Sequence, residues 1–171
     1  MQKKARLSIS LARIGLIAAL YAVLTLVLYP ISYGPWQCRV SEVMTLLPLL
    51  FWEAVPALII GCFVANLFSG FVMDIVFGTL ATALAALFTY FIGKIIKSKA
   101  MPFIAALPPV IFNAFILPLM WKLFTENAGL YWVNFGFVFA GQFVAVYVLG
   151  LPVYYVLKSR YKMVLNNKKD N

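Results

Sequence analysis

The chain has 171 residues, 64% of them hydrophobic and 11% charged, with a mean hydropathy of +0.96. So apolar a sequence cannot hide its side chains in one water-soluble core, and a bilayer is the solvent it fits. The net charge of +9 would suit a nucleic-acid binder only on a folded polar surface; here the basic residues sit at the ends of apolar runs, which excludes that class.

Apolar runs fall at about 8–28, 41–52, 54–69, 75–93, 101–121 and 134–157, separated by proline, glycine or charge. They predict an all-α polytopic membrane protein, a single six-helix domain over residues 1–171. The first run reaches ~32 Å as a helix, enough for a ~30 Å hydrocarbon core, and the last three come close to that length or exceed it. The second and third reach only ~18 and ~24 Å, so they lie inside the bundle or the boundary at Glu53 is misplaced. The basic, then apolar N-terminus resembles a secretory signal, but "YPISYGP" follows in place of a small-residue cleavage site, so it is read as the first span.

Orientation follows from the cations. With the N-terminus inside and six crossings, the inner segments hold Lys3, Lys4, Arg6, Arg13, Lys94, Lys97, Lys99, Lys158, Arg160, Lys162, Lys168 and Lys169, which is 12 of the 14 basic residues. Both termini are therefore expected in the cytoplasm, in a cell (plasma) membrane. Glu42, Asp74 and Glu126 then fall at the outer face with Arg39 and Lys122, among Tyr29, Tyr33, Trp36, Trp121, Tyr131 and Trp132.

Such a mouth suits a flat polar molecule, because rings stack on its faces while carboxylates and amides read its edge. A plainer reading stands beside it: tyrosine and tryptophan line membrane interfaces generally. Glu42 follows Ser41 and can serve the helix dipole, with Arg39 as its ion partner; yet a cation and an anion retained beside so much hydrocarbon usually mark a site. Asn66, Asn113 and Gln142 lie in otherwise apolar spans, where amides either bond between helices or face a shared pocket. Asp74 opens the fourth run, as a cap or as a second carboxylate for that pocket. In the first run Gly15, Ala18, Ala19 and Ala22 put small residues on one side, and Ala18-x-x-x-Ala22 has the spacing of close helix contact, within the bundle or with a partner.

Absences narrow the mechanism. The sequence holds no phosphate loop of the form G-x-x-x-x-G-K-S/T and no histidine, so neither ATP hydrolysis nor a histidine-based catalytic set is expected, and no cofactor or metal is called for. Cys38 and Cys62 are read as structural thiols. The chain is equipped to bind and unequipped to power anything.

The stretch "ALYAVLTLVLYPISYGPWQCRVSEVMTLLPLLFWEAVPALIIGCFVANLFSG", with "DIVFGTLAT", "LPPVIFNAF" and "YVLGLPV", resembles the QueT-type queuosine-precursor transporters, substrate-binding (S) components of energy-coupling factor (ECF) transporters. The resemblance covers nearly the whole chain. It implies a six-helix component that captures a 7-deazaguanine base such as preQ0, preQ1 or queuine at the outer face. It also implies docking on a membrane scaffold (T) protein with two ATPase subunits, through an Ala-x-x-x-Ala surface that maps onto Ala18 and Ala22. Glu42 would then read the N–H and amino edge of the base with Arg39 holding it, Trp36 closing over the ring, and Trp132, Asn66, Asn113 and Gln142 completing the pocket; Asp74 is the rival carboxylate. Two other functions compete: a non-transporting scaffold or assembly subunit, and a self-sufficient facilitator.

Overall fold

The structure, a computed structural model, describes residues 2–33, 37–125 and 130–167, with side chains described over 7–33, 37–125 and 130–161. All regular structure among them is helical. A long first helix, α1 (Gln2–Val27), ends where Pro30 starts the single turn α2 (Tyr29–Ser32). Arg39 leads into a 3-10 helix, Val40–Leu49, followed by α3 (Ala54–Asn66).

Asp74–Gly78 is a π-helical turn that leads directly into α4 (Thr79–Ile95). After a loop come α5 (Met101–Ala105) and α6 (Leu107–Phe124). The last rod joins α7 (Tyr131–Phe143), a second π-helical segment, Val144–Gly150, and α8 (Leu151–Asn167).

Among the described residues, four helical stretches are long and apolar enough to cross a membrane: Leu7–Val27, Asp74–Ile95, Met101–Phe124 and Tyr131–Tyr161. They coincide with the first, fourth, fifth and sixth apolar runs. The second and third runs form the shorter apolar helices Val40–Leu49 and Ala54–Asn66, with a break at residues 50–53 as the sequence suggested.

The 3-10 helix is the internal strut. It packs against α1, α3, α4, the Val144–Gly150 segment and α8, and it buries Ser41, Glu42, Thr45, Leu46, Leu47 and Pro48. A 3-10 helix rises about 2.0 Å per residue, so ten residues cover ~20 Å, a third more than an α-helix would. Pro48, which cannot donate to the preceding turn, lies inside it. Glycines admit the neighbours: a Cβ on Gly93 of α4 would lie 2.6 Å from Leu49 Cδ2.

The Ala18–Ala22 face is turned inward, which corrects the expectation of a partner surface there. Both residues are buried, and α1 packs along α3, where a Cβ on Gly61 would come within 2.8 Å of the Ala18 carbonyl oxygen and of Tyr21 Cβ. The small residues let α1 and α3 approach backbone to backbone, and Gly61 supplies the complementary gap. Ala19 and Gly15, on the other side of α1, are exposed.

This packing makes Gly61→Ala and Gly15→Ala an informative pair. Gly61→Ala forces α1 and α3 apart and is expected to cost about 1–3 kcal/mol, whereas Gly15→Ala meets nothing within 4 Å and is expected to be neutral. Thermal unfolding of the purified protein in detergent measures both.

Candidate binding site

The junction of α1, the 3-10 helix, α3 and the first π turn holds a cluster of fully buried polar side chains. Arg39, Ser41, Glu42, Thr45, Thr25 and Thr82 all have no exposed surface. Arg39 occupies the N-cap position of the 3-10 helix and Glu42 lies three residues on, so the near threefold repeat puts both on one side of it.

Two different sets of contacts hold the two charges. Tyr21 O–H donates to Glu42 Oε1 at 2.5 Å, while Thr25 Oγ1 bonds the Tyr21 carbonyl at 2.8 Å and shares a hydrogen bond with Ser41 Oγ at 2.7 Å. The Arg39 guanidinium stacks 4.9 Å from the centre of the Tyr33 ring. Its Nε donates to the Ser32 carbonyl at 3.4 Å and its Nη1 contacts Cys62 Sγ at 3.9 Å. The ion pair present among the described residues is Arg13–Glu53, so Arg39 and Glu42 do not bridge each other within 4.0 Å. Among the described residues, Glu42 Oε2 and Arg39 Nη2 are buried with no hydrogen-bond partner.

Cys62 is the hub of the far side. Besides Arg39, Thr82 Oγ1 and Asn66 Nδ2 approach its sulfur at 3.2 and 3.3 Å, and the thiol faces the Gly78 carbonyl at 3.6 Å. Asn66 Nδ2 also donates to the Asp74 carbonyl at 2.9 Å, and its Oδ1 accepts from Tyr33 O–H at 3.3 Å. A π turn shifts the backbone hydrogen-bond register and frees carbonyls for side-chain donors, and those of Asp74 and Gly78 are used in this way. Gly78 also keeps the space open, because a Cβ there would stand 2.7 Å from Asn66 Nδ2 and 3.8 Å from Arg39 Nη1.

The structure therefore brings Arg39, Glu42, Asn66 and the Asp74 turn into one cluster. The Asp74 side chain is buried with Oδ1 unpartnered. Asn113 and Gln142 are fully buried on α6 and α7. Asn113 Nδ2 returns to the Pro109 carbonyl at 2.9 Å, and among the described residues neither its Oδ1 nor either end of the Gln142 amide has a partner. Trp132 is not brought in: it is 73% exposed and stands edge-on to Tyr131 and Phe135, as an interfacial ring does. Trp36 and Glu126 lie outside the described residues.

Sequence reasoning passed over three contributors: Tyr21, Cys62 as a shared contact, and Gln37, which is 2% exposed with φ of 45° and Oε1 unpartnered. Tyr21 was open to discovery, since a phenol within an apolar span needs a partner for its O–H and lies three residues from Ala18 on the inward face.

Chemically, the cluster offers a carboxylate oxygen and a guanidinium nitrogen without partners among the described residues, both withdrawn from water. An unmade hydrogen bond at a buried polar atom costs about 1–3 kcal/mol. A ligand with donors and acceptors on one edge relieves several such costs at once, and an apolar ligand relieves none.

A family model described as QueT transporter matches residues 11–159. A protein of Lactococcus lactis subsp. cremoris (strain MG1363), described as "Queuosine precursor transporter QueT", is 39% identical over 71 residues. That alignment spans 40% of this chain and 42% of the relative, less than half of either. No solved structure matches. The family match takes in every residue of the buried cluster and the helices that hold it, and the chain belongs to the QueT transporter family, a family of transporters and not of enzymes.

Proposed function

We propose that this protein is the substrate-binding component of an ECF-type importer and that it captures a queuosine precursor, a 7-deazaguanine base, in the Arg39–Glu42 cluster. One observation carries the reading: Arg39 at the N-cap and Glu42 in the first turn of the 3-10 helix are both fully buried, yet among the described residues each keeps a free polar atom instead of bridging the other. Charges kept for structure alone would be bridged, because breaking such a pair in an apolar interior is expensive.

A guanine-like edge presents an N–H and an amino group side by side. Glu42 offers Oε2 and the remaining lone pair of Oε1, with Tyr21 holding the carboxylate in place. Arg39 Nη2 suits the ring carbonyl. The relative's description as a queuosine precursor transporter supports this substrate class.

In the membrane, the reading has six crossings with both termini in the cytoplasm of the cell that carries the protein in its plasma membrane. The gathering of 12 of the 14 basic residues on one side supports it. Since the chain has no nucleotide-binding loop of its own, energy comes from a membrane scaffold protein and two ATPase subunits. The reading puts the scaffold contact on a face other than that of Ala18 and Ala22, a choice their burial supports.

Glu42→Gln keeps size and removes charge, and Asp74→Asn does the same at the rival carboxylate. The variant at the true edge reader is expected to lose ~2 kcal/mol or more of binding, roughly thirtyfold, in titrations of the purified protein with a 7-deazaguanine. Unchanged affinity in both would rule out carboxylate reading.

Transport gives a separate check. Uptake in cells is expected to require the ATPase subunits; persistence after their deletion would make the chain a self-sufficient facilitator.

A further inference from the structure

Between α1, the 3-10 helix and α8 the surface of the bundle opens into a groove of about 810 Å³. Its wall along α1 runs from Arg13 through Ile17 and Leu20 to Leu24, a rise of about 16 Å. That is about half of a ~30 Å hydrocarbon core, the depth of one leaflet. Leucine, valine and isoleucine dominate the lining, and the charged residues gather at one end.

Several contacts fix that end. Arg13 Nη1 lies 3.7 Å from Glu53 Oε1, and the rings of Phe51 and Tyr161 meet at 6.4 Å, with Arg160 next to Tyr161 in the lining. Lys158 Nζ stands 5.4 Å from the centre of the Tyr154 ring, which belongs to the same wall. The carboxylate facing this end is Glu53, which engages Arg13 and accepts from Ser10 O–H at 3.2 Å. Among the described residues, Arg160 and Lys158 have no acidic partner.

We propose that this groove binds an anionic phospholipid from the leaflet on the basic side of the protein, with an acyl chain along the aliphatic wall and the phosphate between Arg13 and Arg160. The depth of the groove matches one leaflet, and its charge is placed where a head group lies. A guanidinium forks onto phosphate oxygens, and basic pockets between membrane helices suit anionic head groups. A second copy of the chain would bring more cations to this end and supplies no complement to them.

The test is native mass spectrometry of the full-length protein in mild detergent, with phosphatidylglycerol and phosphatidylcholine of identical acyl chains supplied in equal amounts. The wild type is expected to retain phosphatidylglycerol over phosphatidylcholine by roughly tenfold or more. Arg13→Gln with Arg160→Gln is expected to bring the ratio to within about twofold, and Val153→Trp, which fills the groove, to reduce retention of both lipids. Size-exclusion elution and thermal unfolding monitor folding of the variants. Should Val153→Trp fail to fold, the arginine variant decides. Equal retention of the two lipids by the wild type, a preference that survives loss of both arginines, or a lipid-free dimer would each overturn the proposal.

Discussion

The fold is organised around two opposite charges that are buried together and kept apart. Arg39 and Glu42 sit one 3-10 turn from each other with no exposed surface, and each is restrained by neutral groups: Tyr21 for the carboxylate; Tyr33, Ser32 and Cys62 for the guanidinium. Desolvating an ion costs several kcal/mol even after the protein relaxes. Glu42 Oε2 and Arg39 Nη2 nonetheless remain without partners among the described residues, which is the ground for the proposed ligand site.

Much of the surrounding architecture serves that arrangement. The 3-10 geometry aligns positions 39, 42 and 45, and Thr45 O–H ties back to the Glu42 carbonyl at 2.5 Å. Gly61 brings α1 close enough for Tyr21 to reach Glu42, and Gly78 makes room for Asn66 and Arg39. The two π-helical segments, Asp74–Gly78 and Val144–Gly150, both abut central elements; such turns trade regular hydrogen bonding for re-aimed side chains and free carbonyls.

Hydropathy made the helical runs legible, because length and apolar content are local properties; even the shortness of the second and third runs reads directly from the chain. Arg39 and Glu42 stood out for the same reason, as charges among hydrocarbon. What the sequence did not carry was direction. A small-x-x-x-small pair marks close approach without saying which helix approaches, and the answer for Ala18 and Ala22 depended on Gly61, forty residues further along. Trp132 shows the same limit: an aromatic at a helix end is written alike whether it faces a pocket or the interface, and here it is exposed. Cys62 escaped because a lone thiol looks apolar in sequence, and only packing reveals that four polar groups surround its sulfur.

The central claim, that the buried charges exist for a ligand and not for the fold, is tested most directly by removing both. The measurement is the melting temperature of Arg39→Met/Glu42→Gln, with and without saturating 7-deazaguanine, against wild type. Replacing buried charges with groups of similar volume is often neutral or stabilising, and a ligand at 100 times its dissociation constant adds ~2.7 kcal/mol. The account predicts that the ligand-free double variant melts at or above the wild-type temperature while the ligand-induced rise disappears. A variant that melts well below wild type and keeps its ligand-induced rise would contradict it, and would make the two charges part of the framework.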